Sequence, residues 1–206
     1  MSVLRSIDEI VAVVTGARGD SRLVVAIVGP PGSGKSTTAA RLVDRLGDEA
    51  VLLPMDGYHL PQARLVELGR RDRMGAADTF DVDAFVTTLT ALRFSGGLVL
   101  APGFDREIEE AIPDAIAIAP EKRVLVVEGN YLLHDAQGWE RVAPLLDLSF
   151  FVAVDHDIRL RRLIERHVRF GKTPDAAAAW ATGPDEANAR LIDGTAVRAD
   201  HEILLG

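Results

Sequence analysis

Short runs that are apolar at every position alternate along this chain with longer stretches of helical period. Leu23-Val24-Val25-Ala26-Ile27-Val28 has no polar member. That pattern fits a strand buried on both faces, since a half-exposed strand would alternate. Similar runs over 50–55, 123–127, 148–154 and 202–205 predict further strands. Between them the spacing predicts helices over 37–46, 82–94, 139–145, 158–170 and 184–193, and the alanines 176–179 add a helical piece. Leu4, Ile7, Ile10, Val11 and Val14 fall on one face of an N-terminal helix. Strand and helix in alternation imply an α/β fold, a parallel sheet covered by helices on both faces. No internal repeat is visible, and 206 residues suit a single domain spanning 1–206. The charged connection 57–81 is long, as functional connections tend to be. Residues 98–105 combine a short apolar run with a Pro-Gly turn and match neither period.

The first run leads into Gly29-Pro30-Pro31-Gly32-Ser33-Gly34-Lys35-Ser36-Thr37, which fits G-x-x-x-x-G-K-[ST]. With a strand before it and a helix after it, this is the context a phosphate-binding loop requires. Backbone N–H groups of Gly29, Gly32, Ser33 and Gly34 would curl around a nucleotide phosphate. Lys35 would reach the β/γ oxygens, the Ser36 hydroxyl would ligate Mg²⁺, and Thr37 would open the helix. Phosphates would then lie at a helix N-terminus.

In such folds ligands sit at the carboxyl ends of the strands. Asp56 and Glu128 are placed just past two strand ends, on the loop's edge of the sheet. A carboxylate at Asp56 can take a proton from an acceptor hydroxyl during phosphoryl transfer. It would repel an acceptor phosphate, so an alcohol acceptor is expected. Glu128 stands where a Walker-B-type carboxylate would hold Mg²⁺ directly or through water. Asn130 and Tyr131, which follow, are candidate acceptor contacts. His59 is a candidate for orienting the acceptor, and Arg106 for binding an anionic acceptor or pairing with Asp105. Asp78 and Asp81 are expected to cap the helix that begins near Val82.

Composition narrows the partners. The net charge of −8 argues against general nucleic-acid binding. The absence of cysteine excludes disulfides and thiolate chemistry. No apolar run approaches the roughly 20 residues of a membrane span, and residues 2–14 lack a signal peptide's basic start. A cytoplasmic location without membrane association is therefore expected. Only Lys35, Lys122 and Lys172 are lysines; the other 20 of 23 basic residues are arginines. Arg159, Arg161, Arg162, Arg166, Arg169 and Lys172 crowd into one segment. Arg162, Arg166 and Arg169 are spaced four and three, so they share a helical face. Such a face can close over a triphosphate and neutralise transition-state charge.

Taken in order, these motifs resemble a small P-loop kinase of the uridine kinase, phosphoribulokinase and bacterial pantothenate kinase group. The resemblance rests on Gly29 to Thr37, Met55-Asp56-Gly57-Tyr58-His59, Arg73-Met74-Gly75-Ala76-Ala77-Asp78-Thr79-Phe80-Asp81, Pro102 to Arg106, Val126-Val127-Glu128-Gly129-Asn130-Tyr131 and Arg161 to Arg169. Over its full length the chain is similar to short members labelled fructose transport system kinases. The resemblance implies the P-loop nucleoside triphosphate hydrolase fold with ATP and Mg²⁺, Asp56 as base and Glu128 near the metal. It also implies a lid over about 157–183 bearing Arg162 and Arg166 for catalysis and Arg169 toward the acceptor. Tyr58, in the same motif as Asp56 and His59, joins the expected acceptor contacts. The chain departs from the pantothenate kinase pattern at Met74 and Ala77, where that family has Lys and Pro, and from the uridine kinase lid at His167, where that lid has Asp. Neither substrate is therefore carried over. The expected activity is transfer of the γ-phosphoryl group of ATP to a hydroxyl of a small metabolite. The alternative is a nucleotide-binding regulator without a small acceptor. A GTPase is excluded by the lack of an Asn-Lys-x-Asp motif. Adenine contacts are expected near 188–200.

Overall fold

The computed structural model describes residues 2–205. Its strands are β1 (Ser2–Leu4), β2 (Leu23–Val28), β3 (Ala50–Pro54), β4 (Val99–Asp105), β5 (Glu110–Ile118), β6 (Val124–Gly129), β7 (Leu148–Val152) and β8 (His201–Ile203). Its helices are α1 (Ile7–Gly16), α2 (Lys35–Leu46), α3 (Gln62–Glu67), α4 (Val82–Phe94), α5 (His156–Arg169), α6 (Pro174–Thr182) and α7 (Pro184–Asp193). Six strands form one sheet in the order β1-β8-β7-β2-β6-β3, and every pairing in it is parallel. The expected α/β architecture is present.

The unbroken apolar runs are explained by the two cores. Val24, Ala26 and Val28 of β2 pack on one face with Phe85, Leu89 and Leu92 of α4. Leu23, Val25 and Ile27 pack on the other with Ile10 and Val14 of α1 and Ala39 and Leu42 of α2. Successive strand side chains point to opposite faces, so a strand covered on both sides has no position for a polar residue. Burying one such side chain stabilises the fold by roughly 1.5–3 kcal/mol. Of β2, all six residues are buried.

Helix starts follow local capping chemistry. The Asp81 carboxylate accepts from Ala84 N at 2.9 Å, and that of Asp155 accepts from Asp157 N at 2.9 Å and Ile158 N at 3.2 Å. Asp78 does not cap; it is held by the guanidinium groups of Arg73 and Arg70. In contrast, α2 begins after Gly34 with no side-chain cap, which leaves its first N–H groups open to a ligand.

Two other expectations are corrected, and one unassigned stretch finds its place. Residues 139–145 form two 3-10 turns rather than one helix. Trp139 is anchored by its Nε1–H donating to Ala77 O at 3.0 Å, and Pro144 supplies no N–H to continue a helix. Leu4 belongs to edge strand β1, paired with β8, so α1 starts only after its Ser6 cap. Residues 98–105 supply β4, which pairs antiparallel with β5 as a separate hairpin. Pro102, Gly103 and Pro113 interrupt the pattern of this hairpin, and its register shifts between Ala101 and Gly103. Among the described residues no helix is long and apolar enough to cross a membrane.

Candidate active site

The loop after β2 is built to receive phosphate. Gly32 and Gly34 have φ of +81° and +97°, a region that side-chain-bearing residues rarely adopt. At Gly32 a Cβ would also lie 2.8 Å from Arg159 O, so this loop cannot carry a side chain there and stay seated on α5. Gly29 opens the loop against Ser33 and Val152. Ser33 is buried, with its hydroxyl beside Gly29. Ser36 and Thr37 are exposed in the first turn of α2.

Behind the loop, Lys35 Nζ lies 3.6 Å from Glu128 Oε1, and both side chains are nearly sealed from solvent. Burial pushes the Lys35 ammonium below its usual range, against the opposing pull of Glu128 and Asp56. Burial likewise pushes the Glu128 carboxyl up, while Lys35 pulls it down. Glu128 is inside β6, not past its end, because pairing with β2 and β3 continues to Gly129 and Pro54. No group of three or more metal-ligating side chains occurs among the described residues. Ser36 and Glu128 are thus an incomplete oxygen set. That suits Mg²⁺, which commonly takes one or two protein oxygens and completes its shell with phosphate and water.

Asp56 lies in the 3-10 turn Met55–Tyr58 that follows β3. Arg106 Nη2, from the turn of the β4–β5 hairpin, donates to Asp56 Oδ2 at 2.6 Å; Asp105 is not its partner. Burial alone would raise the Asp56 pKa, but Arg106, His59, Lys35 and Arg166 together outweigh it and hold the carboxyl below its usual range. The base candidate is therefore ionised at neutral pH. His59 Nδ1–H donates to Asp56 O at 2.8 Å, a bond that fixes the tautomer. Its ring is held between Phe80, at 4.0 Å between centroids, and Phe104, at 4.8 Å. The hairpin sits so close that a Cβ on Gly57 would fall 2.3 Å from Pro102 O.

Two adjoining recesses meet here. One, the candidate triphosphate recess, is lined by Gly32, Gly34, Lys35, Ser36, Thr37, Arg162 and Arg169 of the phosphate loop and α5. The other is lined by Asp56, His59, Met74, Phe104, Asn130 and Asn188, among others, and has room for an acceptor. Lys35, Arg106, Arg166 and Phe170 line both, so they mark the junction. The shared face of Arg162, Arg166 and Arg169 turns toward these recesses, with Arg162 Nη1 3.5 Å from Ser33 O. Burial and the repulsion of Arg106 depress the pKa of Arg166, against the opposing pull of Asp185, Asp56 and Glu128. A third recess, beside Thr37, Arg41, Arg162, Val152–Val154 and Leu205, adjoins the triphosphate side.

Tyr58 and Tyr131 are not in the acceptor recess. The Tyr58 ring meets Phe85 edge-on at 5.0 Å in the core. Tyr131 is wholly buried, and its hydroxyl donates to Gly75 O at 2.7 Å. Their motifs carry Asp56 and Asn130 into the site while the tyrosines brace it from behind. Conversely, Arg71, Glu109, Trp180 and Asp185 line the acceptor recess without having been singled out; Lys172 was read only as one of the basic block, His167 only as a departure from a lid pattern, and Asn188 only within the segment expected to meet adenine. His167 Nε2 lies 2.7 Å from Asp185 Oδ2, which ties α5 to α7. Asp185 follows Pro184 at a helix start and reads locally as an ordinary first-turn acid. Nothing in its neighbourhood in the chain points to a site.

The chain matches the model of the phosphoribulokinase / uridine kinase family over residues 24–182. An ATP-dependent kinase-like protein of Aspergillus versicolor is 42% identical over 133 residues, 61% of this chain and 77% of that protein. A candidate uridine kinase of Schizosaccharomyces pombe is 32% identical over 194 residues, covering 87% of this chain and 81% of its own. Among solved structures, a candidate fructose transport system kinase from Silicibacter sp. TM1040 superposes with a TM-score of 0.89 at 37% identity, covering 97% of this chain and 99% of that one. With the P-loop fold, the joined recesses and these relatives, the chain belongs to the phosphoribulokinase / uridine kinase family and is a small-molecule kinase, a phosphotransferase acting on hydroxyl groups.

Proposed function

We propose that this kinase transfers the γ-phosphoryl group of ATP to a hydroxyl of a small polar metabolite bound beside Asp56. The observation that carries this reading is the junction. An ionised carboxylate opens onto the acceptor recess, where Lys35, Arg106 and Arg166 join it to the phosphate loop. The loop amides, Lys35 and Arg162 hold the triphosphate, and the adenine takes the recess beside Val152–Val154 and Leu205. Ser36 and Glu128 would hold Mg²⁺, which would neutralise phosphate charge. Arg106 occupies Asp56 Oδ2, so Oδ1 takes the proton of the acceptor hydroxyl as its oxygen bonds to Pγ and ADP leaves. Arg166 and Lys35 offset the charge that spreads over the transferred group. Asn130 lines the same recess and offers its amide to a second acceptor hydroxyl.

Relatives carry names that mention uridine and fructose, and both compounds belong in the test. The test is an ATP-dependent phosphorylation screen with mass detection of products over sugars, nucleosides, pantothenate and small hydroxy acids. One phosphorylated product formed with stoichiometric ADP supports the reading. ADP release that no alcohol accelerates would instead favour a nucleotide-dependent regulator.

A further inference from the structure

We propose that the acceptor carries an anionic group, a carboxylate or a phosphate, bound by Lys172 against the Trp180 ring. This rests on the phosphotransfer reading of the cleft and adds the charge class of its substrate.

Charges in the acceptor recess are almost all matched within the protein. Asp56 is paired with Arg106 at 2.6 Å, Glu109 with Arg71 at 2.5 Å, Asp185 with His167 at 2.7 Å and Lys35 with Glu128 at 3.6 Å. Among the described residues, two cations lining the recess have no carboxylate within 4.0 Å, Arg166 and Lys172. Arg166 also lines the triphosphate side, where the nucleotide supplies its anion. Lys172 lines the acceptor side alone. Neither the protein nor the triphosphate therefore offers it a counter-ion.

Two contacts place it. Gly171, with φ of +95°, turns the chain at the end of α5, and Lys172 N donates to His167 O at 3.0 Å. The ammonium lies 4.8 Å from the centre of the Trp180 ring of α6, half-buried. A ring face holds a cation but satisfies none of its three N–H donors. A compact ammonium in a partly dry cleft binds an anion by charge-assisted hydrogen bonds. A neutral polyol would leave that charge unmatched.

The test is calorimetric titration of wild type, Lys172→Gln and Lys172→Arg, each saturated with a non-hydrolysable ATP analogue. Matched probes are glycerol, glycerate and glycerol 3-phosphate, then ribose, ribonate and ribose 5-phosphate. In at least one set a charged member is expected to bind at least about tenfold more tightly than its neutral counterpart, the scale of one hydrogen bond to a charged group. Lys172→Gln should remove that advantage and Lys172→Arg should restore part of it. The acid and phosphate arms distinguish the two anions. No advantage for any charged member, or an advantage that survives in Lys172→Gln, overturns the proposal. The same compounds run in the phosphorylation screen separate the two readings. Charge-dependent binding without transfer of phosphate would sink the kinase assignment of Asp56 and leave the anion site standing.

Discussion

Replacing Asp56 by Asn isolates the chemistry from the architecture. The change keeps the shape of the side chain and an oxygen that can still accept from Arg106 Nη2, now at 2.6 Å from Oδ2. It removes the basic oxygen. A lost general base lowers turnover by roughly 10²–10⁴-fold, or about 2.7–5.4 kcal/mol of barrier at ~1.36 kcal/mol per decade. Asp56 lines the acceptor recess and not the triphosphate recess, so the KM for ATP should stay near that of wild type. Stability should change little. The side chains of Asp56 and Arg106 are 24% and 42% exposed, and ion pairs that are part-exposed contribute roughly 0.2–1 kcal/mol. The assay is single-turnover phosphoryl transfer to the acceptor found by the screen, with a urea unfolding curve run on the same preparations. Turnover within about threefold of wild type, with folding intact, would refute the base assignment. Asp56 would then be a partner that merely holds Arg106.

Lys35→Ala should abolish nucleotide use whatever the acceptor, measured as loss of ATP-analogue binding and of transfer; full activity would undo the phosphate-loop assignment. Gly57→Ala forces Pro102 O away from a contact of 2.3 Å and drags the hairpin with it. It should cost about 1–3 kcal/mol in urea unfolding as overpacking does, and lower turnover about 10²-fold through displacement of Arg106 and Phe104; wild-type turnover would show that the hairpin does not position the site. The hydrogen bond from Arg73 holds the Asp78 carboxyl below its usual range, so its folded pKa lies below its unfolded one. Its contribution is present above the unfolded pKa and is lost as pH falls through the folded one. The difference in urea midpoint between wild type and Asp78→Asn should therefore be full at pH 7 and shrink below about pH 4; a difference constant with pH would mean the pair acts through shape alone.

The sequence was legible wherever one stretch of chain decides the outcome by itself. The run of six apolar residues before Gly29 can only be a strand covered on both faces. Gly32, Gly34 and Lys35 have one loop geometry that uses them all, and Arg162, Arg166 and Arg169 share a face by helical spacing alone. Where backbone punctuation competed with pattern, the reading failed. Pro102, Gly103 and Pro113 hid β4 and β5 as a hairpin, and Pro144 broke an apparent helix into 3-10 turns.

By itself, then, the sequence determined the buried strands, the phosphate loop, a carboxylate just past β3 and the shared arginine face of α5, because each is encoded within a few neighbouring residues. The tertiary structure alone decided how the second recess is completed and which of its charges are paired. It paired Arg106 with Asp56 across 50 positions of chain and His167 with Asp185 across 18. It turned Tyr58 and Tyr131 into the core and brought Lys172 and Trp180 to the cleft. No local period records such pairings, since they depend on how the hairpin and the last helices pack over the carboxyl edge of the sheet.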